Sequence, residues 1–266
     1  MTNALNHVDL CFVIDTTGSM GSFIEAAKQQ LLDTLKLMSA DSGIDLQVGL
    51  VEYRDHPPQD TSFVTRIYPL TANLKQMQKE INKLAANGGG DFPEAVYDGV
   101  QDAALKMKWR PHSCRFILLV GDAPPHGFEV DRNDESYTHT DPARYPNGLT
   151  VQSVTAAAES QRVTVHALCM GNNQITAQSF RAIAIGTGGQ CAATNNAQDV
   201  IAQIVSVLTS EFRDLEFDGK VLDAVQRIGN LDVSATADSL GCPRLSVASA
   251  IARLGKRGFL DRLAVA

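Results

Sequence analysis

One short segment of the chain carries three oxygen-bearing side chains at alternating positions. Asp15 supplies a carboxylate, and Thr17 and Ser19 supply hydroxyl groups. Oxygen ligands of this kind suit hard divalent cations, whereas zinc and copper sites favour nitrogen and sulfur. The pattern therefore indicates an oxygen-only cation site, with Mg²⁺ as the expected ion and Mn²⁺ or Ca²⁺ as alternatives.

The position of this segment in the chain favours the same interpretation. It directly follows residues 8–14, an apolar run typical of a buried strand. Asp15 then falls at the carboxyl end of that strand, the edge at which open α/β sheets bind ligands. Helix capping by Thr17 or Ser19 is the simpler alternative, but capping would explain one oxygen and not the others.

Two later loops offer further oxygen ligands. Residues 84–95 form a glycine-rich segment, and residues 117–122 form an apolar run that ends in a carboxylate. With the first segment, they resemble the metal-ion-dependent adhesion site of von Willebrand factor type A domains. The resemblance implies five metal ligands, direct or through water: Asp15, Thr17, Ser19, Asp91 and Asp122.

Asp91 departs from the pattern of that family, in which a threonine is usual near this position. An aspartate adds a full negative charge, so three carboxylates would outweigh the charge of one divalent ion. Coulomb energies at such separations reach a few kcal/mol. We therefore expect firm metal binding, and a partner group less acidic than the one that integrin-type domains accept.

Three short motifs most resemble the type A domains attached to some α-kinases: Tyr-Arg-Asp-His, Gly-Gly-Gly-Asp-x-Pro-Glu-Ala and Asp-Ala-Pro-Pro-His-Gly. No kinase sequence follows. Arg54, Asp55 and His126 in these motifs are candidates for partner contact. Arg54 and Asp55 could instead form an ion pair that braces the rim or be solvated, and His126 could make ordinary loop hydrogen bonds.

The order of elements predicts how these loops meet. Apolar strand-like runs alternate with helical periodicity, which is typical of a mostly parallel, six-stranded, doubly wound α/β sheet with helices on both faces. Predicted strands cover residues 8–14, 46–53, 63–68, 115–120, 163–170 and 190–194, and predicted helices cover 23–38, 74–84, 95–107, 151–161, 177–185 and 197–212. Right-handed crossovers then bring the three loops to one rim.

The C-terminal part differs in composition. Net charge is −7 for the whole chain, yet residues 219–266 hold seven basic against four acidic residues. We place a boundary at 213–217, a type A domain at 7–212 and a small all-α domain at 218–266. Helical runs at 233–240 and 246–254, with Gly241 between them, resemble a helix-turn-helix and the winged-helix units of bacterial regulators.

Two interpretations of the small domain stay open. As a DNA-binding unit, it would contact phosphates through Arg244, Arg253, Lys256 and Arg257, and Arg244 and Ser249 would face base edges. As a docking unit, it would present a mostly apolar helix face, composed of Pro243, Leu245, Ala248, Ser249 and Ala252. Docking is slightly favoured, because base readout needs more polar side chains than this face holds.

The remaining features bound the function. No catalytic triad, phosphate-binding loop or zinc signature is present, so we do not expect an enzyme. Five cysteines without a CxxC, and no signal-like or membrane-spanning run, favour a cytoplasmic protein. The irregular acidic segment 121–148 could be a solvated loop or contact a ligand. We predict a metal-dependent protein-interaction module, an adaptor or regulator in a bacterial complex, or alternatively a DNA-binding regulator.

Overall fold

Six strands form one sheet in a computed structural model that describes residues 4–90, 92–128 and 148–261. The spatial order is β3-β2-β1-β4-β5-β6. The strands are β1 His7–Asp15, β2 Asp45–Tyr53, β3 Thr65–Thr71, β4 Cys114–Gly121, β5 Val163–Met170 and β6 Cys191–Thr194. All neighbours pair in parallel except β2 and β3, which are antiparallel. The predicted six-stranded α/β fold is confirmed.

The helices cover both faces of this sheet. They are α1 Gly21–Ser42, α2 Leu74–Ile81, α3 Val96–Lys106, α4 Val151–Ser160, α5 Gln174–Gly186, α6 Ala197–Ile228, α7 Val233–Leu240 and α8 Arg244–Lys256. One apolar core joins the sheet to α1, α2 and α6, and a second joins its other face to α3, α4 and α5. Because both faces are covered, the central strands are apolar almost throughout rather than alternating.

The strand register brings the candidate loops to one edge. Asp15, the last residue of β1, pairs with Tyr53, the last residue of β2. On the other side of β1, Ile14 pairs with Val120, next to the end of β4. Parallel pairing therefore places the segments that follow β1, β2 and β4 side by side at the carboxyl edge of the sheet.

The predicted boundary at 213–217 lies inside a helix. α6 runs unbroken from Ala197 to Ile228 and ends where Gly229 adopts a left-handed conformation with φ of 83°. Residues 213–217 contain no glycine or proline to interrupt it, and apolar residues on both sides of this stretch are buried. The C-terminal helices are thus attached by a continuous helix, and their independence as a domain stays a prediction.

A third, smaller core holds the C-terminal helices against the end of α6. Val221 and Val225 of α6 pack with Ala237 of α7 and with Val247 and Leu254 of α8. A turn at Gly241, with φ of 63°, separates α7 from α8. None of the helices in the described part of the chain combines the length and apolarity that crossing a membrane requires.

Candidate metal centre

Backbone hydrogen bonds tie the first candidate loop to the second. The Asn87 N–H donates to the carbonyl of Thr16 at 3.0 Å, and the Gly18 N–H donates to the carbonyl of Gly88 at 3.3 Å. Gly88 has a left-handed φ of 76°, which favours glycine. The first loop is therefore held against the glycine-rich loop by main-chain contacts that need no particular side chain.

Four of the five predicted metal ligands lie together at this rim. The Thr17 hydroxyl donates to Asp15 Oδ1 at 2.7 Å, and the Thr17 N–H donates to the same oxygen at 2.8 Å. The Thr17 and Ser19 hydroxyl oxygens are 3.5 Å apart, and Ser19 hydrogen-bonds to the Asp122 carboxylate. Thr17 makes no side-chain cap to the helical turn that follows it. Its hydroxyl is turned toward Asp15 instead.

The electrostatics of this cluster are unfavourable without a cation. Asp15 is fully buried, and its Oδ2 atom makes no hydrogen bond to the described residues. Burial, and then the nearby charge of Asp122, raises the pKa of Asp15 from 3.8 to about 7, although hydrogen bonds from Thr17 oppose the change. Burial also raises the pKa of Asp122. A divalent cation would neutralise this repulsion and engage the unused Asp15 oxygen.

The ligand set fits Mg²⁺. Asp15, Thr17, Ser19 and Asp122 offer only carboxylate and hydroxyl oxygens, and Mg²⁺ usually keeps several waters in its coordination shell. Asp15 and Thr17 are buried, Asp122 is partly exposed, and Ser19 is exposed. An ion held by these residues would thus be anchored on the protein side and open toward solvent on the other.

The fifth predicted ligand, Asp91, lies outside the described residues. Within the described part of the same loop, Glu94 is a carboxylate that the sequence interpretation did not assign. It is 4% exposed, and a Cβ built on Gly89 would lie 2.8 Å from Glu94 Oε1 and 3.2 Å from Thr17 Cβ. Glu94 therefore reaches the same small space as Thr17. Its place in the motif, between a proline and the start of α3, is the signal that could have found it.

Tyr53 lies beneath the cluster at the end of β2. Its side chain is fully buried, and its hydroxyl makes no hydrogen bond to the described residues. Burial raises the pKa of Tyr53 well above its usual value of 10, and the charges of Asp15, Asp122 and Glu94 raise it further. The charges of three carboxylates thus act on one buried phenol.

Arg54, one predicted partner contact, supports the rim from inside. It is 9% exposed, donates to the Thr16 hydroxyl at 3.3 Å and to the Ala85 carbonyl at 3.1 Å, and lies 3.8 Å from an Asp60 carboxylate oxygen. The ion-pair partner is therefore Asp60 rather than Asp55. These contacts link the first two loops to the segment after β2. They give Arg54 a structural role that needs no contact with another protein.

Asp55 and His126, the other predicted partner contacts, are buried and paired with each other. His126 Nε2 lies 2.5 Å from Asp55 Oδ1, and the two residues are 4% and 0% exposed. His56 lies beside them, with its ring centroid 5.2 Å from that of His126. Both side chains are therefore interior to the loop layer, by which we mean the loops that follow β1, β2 and β4 together with the glycine-rich loop. Direct partner contact through them stays a prediction.

The predicted nucleic-acid contacts separate into two groups. Arg244 and Ser249 are exposed on α8. Arg253 pairs with the buried Asp218 at 2.6 Å, and Lys256 donates to the Thr164 hydroxyl at 3.0 Å. Arg257, 6% exposed, donates to the carbonyls of His112, Ala4 and Leu5. The second group therefore holds the C-terminal helices onto the rest of the chain.

A doubly wound sheet with a cluster of oxygen-bearing side chains at its carboxyl edge is the arrangement of an α/β domain with a candidate cation site. The family model described as von Willebrand factor A domain matches residues 9–196. The chain belongs to this family, as its motifs imply.

Named relatives agree with this membership. The chain is 34% identical over 145 residues to "Alpha-protein kinase vwkA" of Dictyostelium discoideum, covering 53% of this chain and 22% of that protein. It is 27% identical over 181 residues to "von Willebrand factor A domain-containing protein 7" of Homo sapiens, covering 68% and 18%. The first match supports the resemblance to α-kinase-associated domains. The chain spans less than a quarter of the length of these curated relatives.

Solved structures share the fold at low identity. A pilus adhesin, SpaC of Lactobacillus rhamnosus GG, has a TM-score of 0.56 at 17% identity, covering 79% of this chain and 30% of that chain. Proximal thread matrix protein 1 from the mussel byssus, described with a zinc-occupied MIDAS motif, has a TM-score of 0.52 at 14% identity, covering 75% and 45%. At this identity, the likeness shows the fold alone.

Proposed function

We propose that the chain is a metal-dependent protein-interaction module that binds its partner through a divalent cation at the rim. The observation that supports this most strongly is the convergence of Asp15, Thr17, Ser19 and Asp122. One oxygen of the buried Asp15 makes no hydrogen bond to the described residues, while the exposed Ser19 marks the open side. A cation there would present exchangeable water positions to a ligand. Mg²⁺ is the ion that the all-oxygen donor set favours.

The charge of the site limits the chemistry of the partner group. Asp15, Asp122 and Glu94 together carry one more negative charge than a divalent cation neutralises. An incoming carboxylate would meet this excess charge, whereas a neutral oxygen donor would not. The module should therefore take a partner through a hydroxyl or carbonyl oxygen, or through a group that carries a basic neighbour. The mussel protein described with a zinc-occupied MIDAS motif is a precedent for metal binding by a protein of this fold.

Affinity capture with the full chain as bait tests the proposal. Proteins retained in Mg²⁺ should be released by chelator and recovered when Mg²⁺ is restored. Asp122→Ala should abolish the metal-dependent fraction, while Asp33→Ala, which changes a 73%-exposed carboxylate on α1, should leave it intact. Capture that is indifferent to chelator, or equal in both variants, would contradict the proposal.

A second candidate function concerns the C-terminal helices. Three of the five predicted DNA-contacting residues are engaged inside the chain, whereas the outward face of α8 is exposed and mostly apolar, with Leu245 at 78% exposure. A cleft of about 590 Å³ beside this face is lined by residues of α6, of the turn before α8 and of α8 itself. An exposed apolar face suits a protein partner better than a DNA groove. We therefore place protein docking ahead of DNA binding, and ahead of an enzymatic role, for which we propose no reaction.

A salt titration against duplex DNA separates the two functions of the small domain. Docking predicts weak binding that disappears near physiological salt and shows no sequence preference. Sequence-specific binding that survives at this ionic strength, and that Arg244→Ala weakens, would instead support the DNA-binding regulator.

A further inference from the structure

A nitrogen-rich cluster lies in the loop layer, apart from the oxygen-only residues of the rim. Asp55, His56 and His126 each offer one ligand atom, and these atoms all lie within 4.8 Å of one another. The three residues are 0%, 2% and 4% exposed. A carboxylate and two imidazoles buried together are expensive for the fold unless they compensate one another or hold an ion. We propose that this cluster is a second metal site, which binds a transition-metal dication such as Zn²⁺.

The backbone fixes the relative position of the three residues. Asp55 and His56 follow β2, and His126 follows β4. The Ala95 N–H donates to the Arg54 carbonyl at 2.8 Å, and the His126 N–H donates to the Glu94 carbonyl at 3.3 Å. The residues just before α3 therefore lie between the two loops and hydrogen-bond to both of them. Main-chain contacts thus hold the three side chains together without an ion.

The ring atoms of His56 are arranged as in metal-bound histidines. Its Nε2 atom lies 3.0 Å from Asp98 Oδ2, while its Nδ1 atom faces Asp55 Oδ1 at 4.0 Å. A histidine that ligates through one nitrogen commonly donates its other N–H to a carboxylate, which fixes the tautomer. Asp98, on the first turn of α3, would supply that carboxylate and leave His56 Nδ1 as the ligand.

Asp55 provides the negative ligand of the set. Its Oδ1 atom is the hydrogen-bond partner of His126 Nε2 and also accepts a hydrogen bond from the backbone N–H of His56 at 2.6 Å. Its Oδ2 atom makes no hydrogen bond to the described residues. A dication bound by both Asp55 and His126 would displace the proton of this contact to solvent, and the two ligand atoms would move apart to make room for it. The buried Asp55 would then be balanced by a fixed positive charge.

The donor set selects the class of ion. Two imidazole nitrogens and one carboxylate oxygen match the three-ligand pattern of zinc sites, which leaves a fourth position for another group. Mg²⁺ prefers oxygen ligands and near-octahedral geometry, so it should stay at the rim. The two sites are therefore chemically distinct and should be loaded by different ions.

Metal analysis of the untagged full chain tests this inference. The protein is stripped with chelator, reconstituted with Zn²⁺ in excess Mg²⁺, and desalted, and its zinc is counted by plasma mass spectrometry. Wild type and Asp15→Ala should each retain about one zinc per chain, because excess Mg²⁺ competes for the rim and Asp15→Ala removes a rim ligand, while the cluster keeps all of its ligands. His126→Gln and His56→Gln should bind it more than about tenfold more weakly, whereas His7→Gln, at the start of β1, should match wild type.

Cobalt substitution keeps the test informative even if the buried histidine variants fail to fold. Wild-type protein reconstituted with Co²⁺ should show the visible absorption of a four-coordinate site with nitrogen ligands. No retained zinc and no such absorption in folded wild type would overturn the inference and leave the cluster as a hydrogen-bonded brace. Loss of zinc in Asp15→Ala would overturn it as well, because the ion would then belong to the rim. The first result leaves the Mg²⁺-dependent interaction untouched, whereas the second would assign zinc rather than Mg²⁺ to the rim.

Discussion

At the scale of single residues, the account depends on how much negative charge surrounds one point on the rim. Asp15 and Glu94 are buried beside the partly exposed Asp122, and the buried phenol of Tyr53 lies close enough for all three to raise its pKa. Such a cluster is stable only if protons or a cation neutralise it. Each carboxylate should therefore contribute measurably to cation affinity, including the one that motif matching did not assign.

Glu94→Gln tests whether this unassigned carboxylate belongs to the site. Removing one charge beside the cation should weaken Mg²⁺ binding by about tenfold, which corresponds to about 1.4 kcal/mol. Titration calorimetry measures this change, and Glu25→Gln on the exposed side of α1 is the matched control. Equal Mg²⁺ affinity in both variants would place Glu94 outside the site.

Gly121 shows how tightly the chain packs beneath the rim. A Cβ at this position would collide with the Tyr53 hydroxyl oxygen and lie 3.3 Å from Asp15 Cβ. Gly121→Ala should lower the free energy of unfolding by about 1–3 kcal/mol. Tyr53→Phe alone should be nearly neutral, because the hydroxyl makes no hydrogen bond to the described residues. In denaturant titrations, the double variant should recover more than half of the loss; additive losses would show that the hydroxyl is not the obstacle.

At the scale of elements, the sequence predicts the central part of the fold well and its edges less well. Buried parallel strands are nearly continuous apolar runs, so β1, β4 and β5 are visible without a structure. The edge strand β3 was expected at 63–68 and lies at Thr65–Thr71, because an edge strand that is buried on one side gives a weaker pattern. α6 was expected to end at residue 212, because residues 213–217 were interpreted as a boundary.

The candidate site divides in the same way. Asp15, Thr17, Ser19 and Asp122 could be found because each lies at or just after the end of a strand with a clear pattern. Glu94 has only its place after Pro93 in the motif as a signal, because its reach toward Thr17 depends on the path of a glycine-rich loop. The pairing of Asp55 with His126 joins residues 71 positions apart, and no local pattern predicts such a contact.

The junction between α6 and α8 gives a prediction at the element scale. Arg253 binds Asp218 with Nε and Nη2 donating to the carboxylate, and Asp218 is 1% exposed. Arg253→Ala would leave this buried carboxylate without its cation and should lower the free energy of unfolding by about 2–3 kcal/mol.

Arg244→Ala is the control for that variant, because it removes an exposed arginine from the same helix and should change stability by less than about 0.5 kcal/mol. Denaturant titration of both variants measures the difference. Equal, small losses would mean that the basic residues of α8 do not hold the helix in place and remain available to a ligand.

At the scale of the whole molecule, one sheet brings the candidate cation ligands together at its carboxyl edge, and the C-terminal helices continue from its last helix. Ions that bind only the folded state stabilise it by mass action, by about 2.7 kcal/mol at a hundredfold excess over the dissociation constant. The protein should therefore melt at a higher temperature with Mg²⁺ than with chelator, and the rim should be the origin of this effect.

Calorimetric titration of Mg²⁺ into the chelator-stripped full chain tests the central claim most directly. The account predicts saturable binding of one ion per chain in wild type, loss of that binding in Asp15→Ala and Asp122→Ala, and its retention in Asp33→Ala. An absence of saturable binding to folded wild-type protein, or unchanged binding in both rim variants, would contradict it.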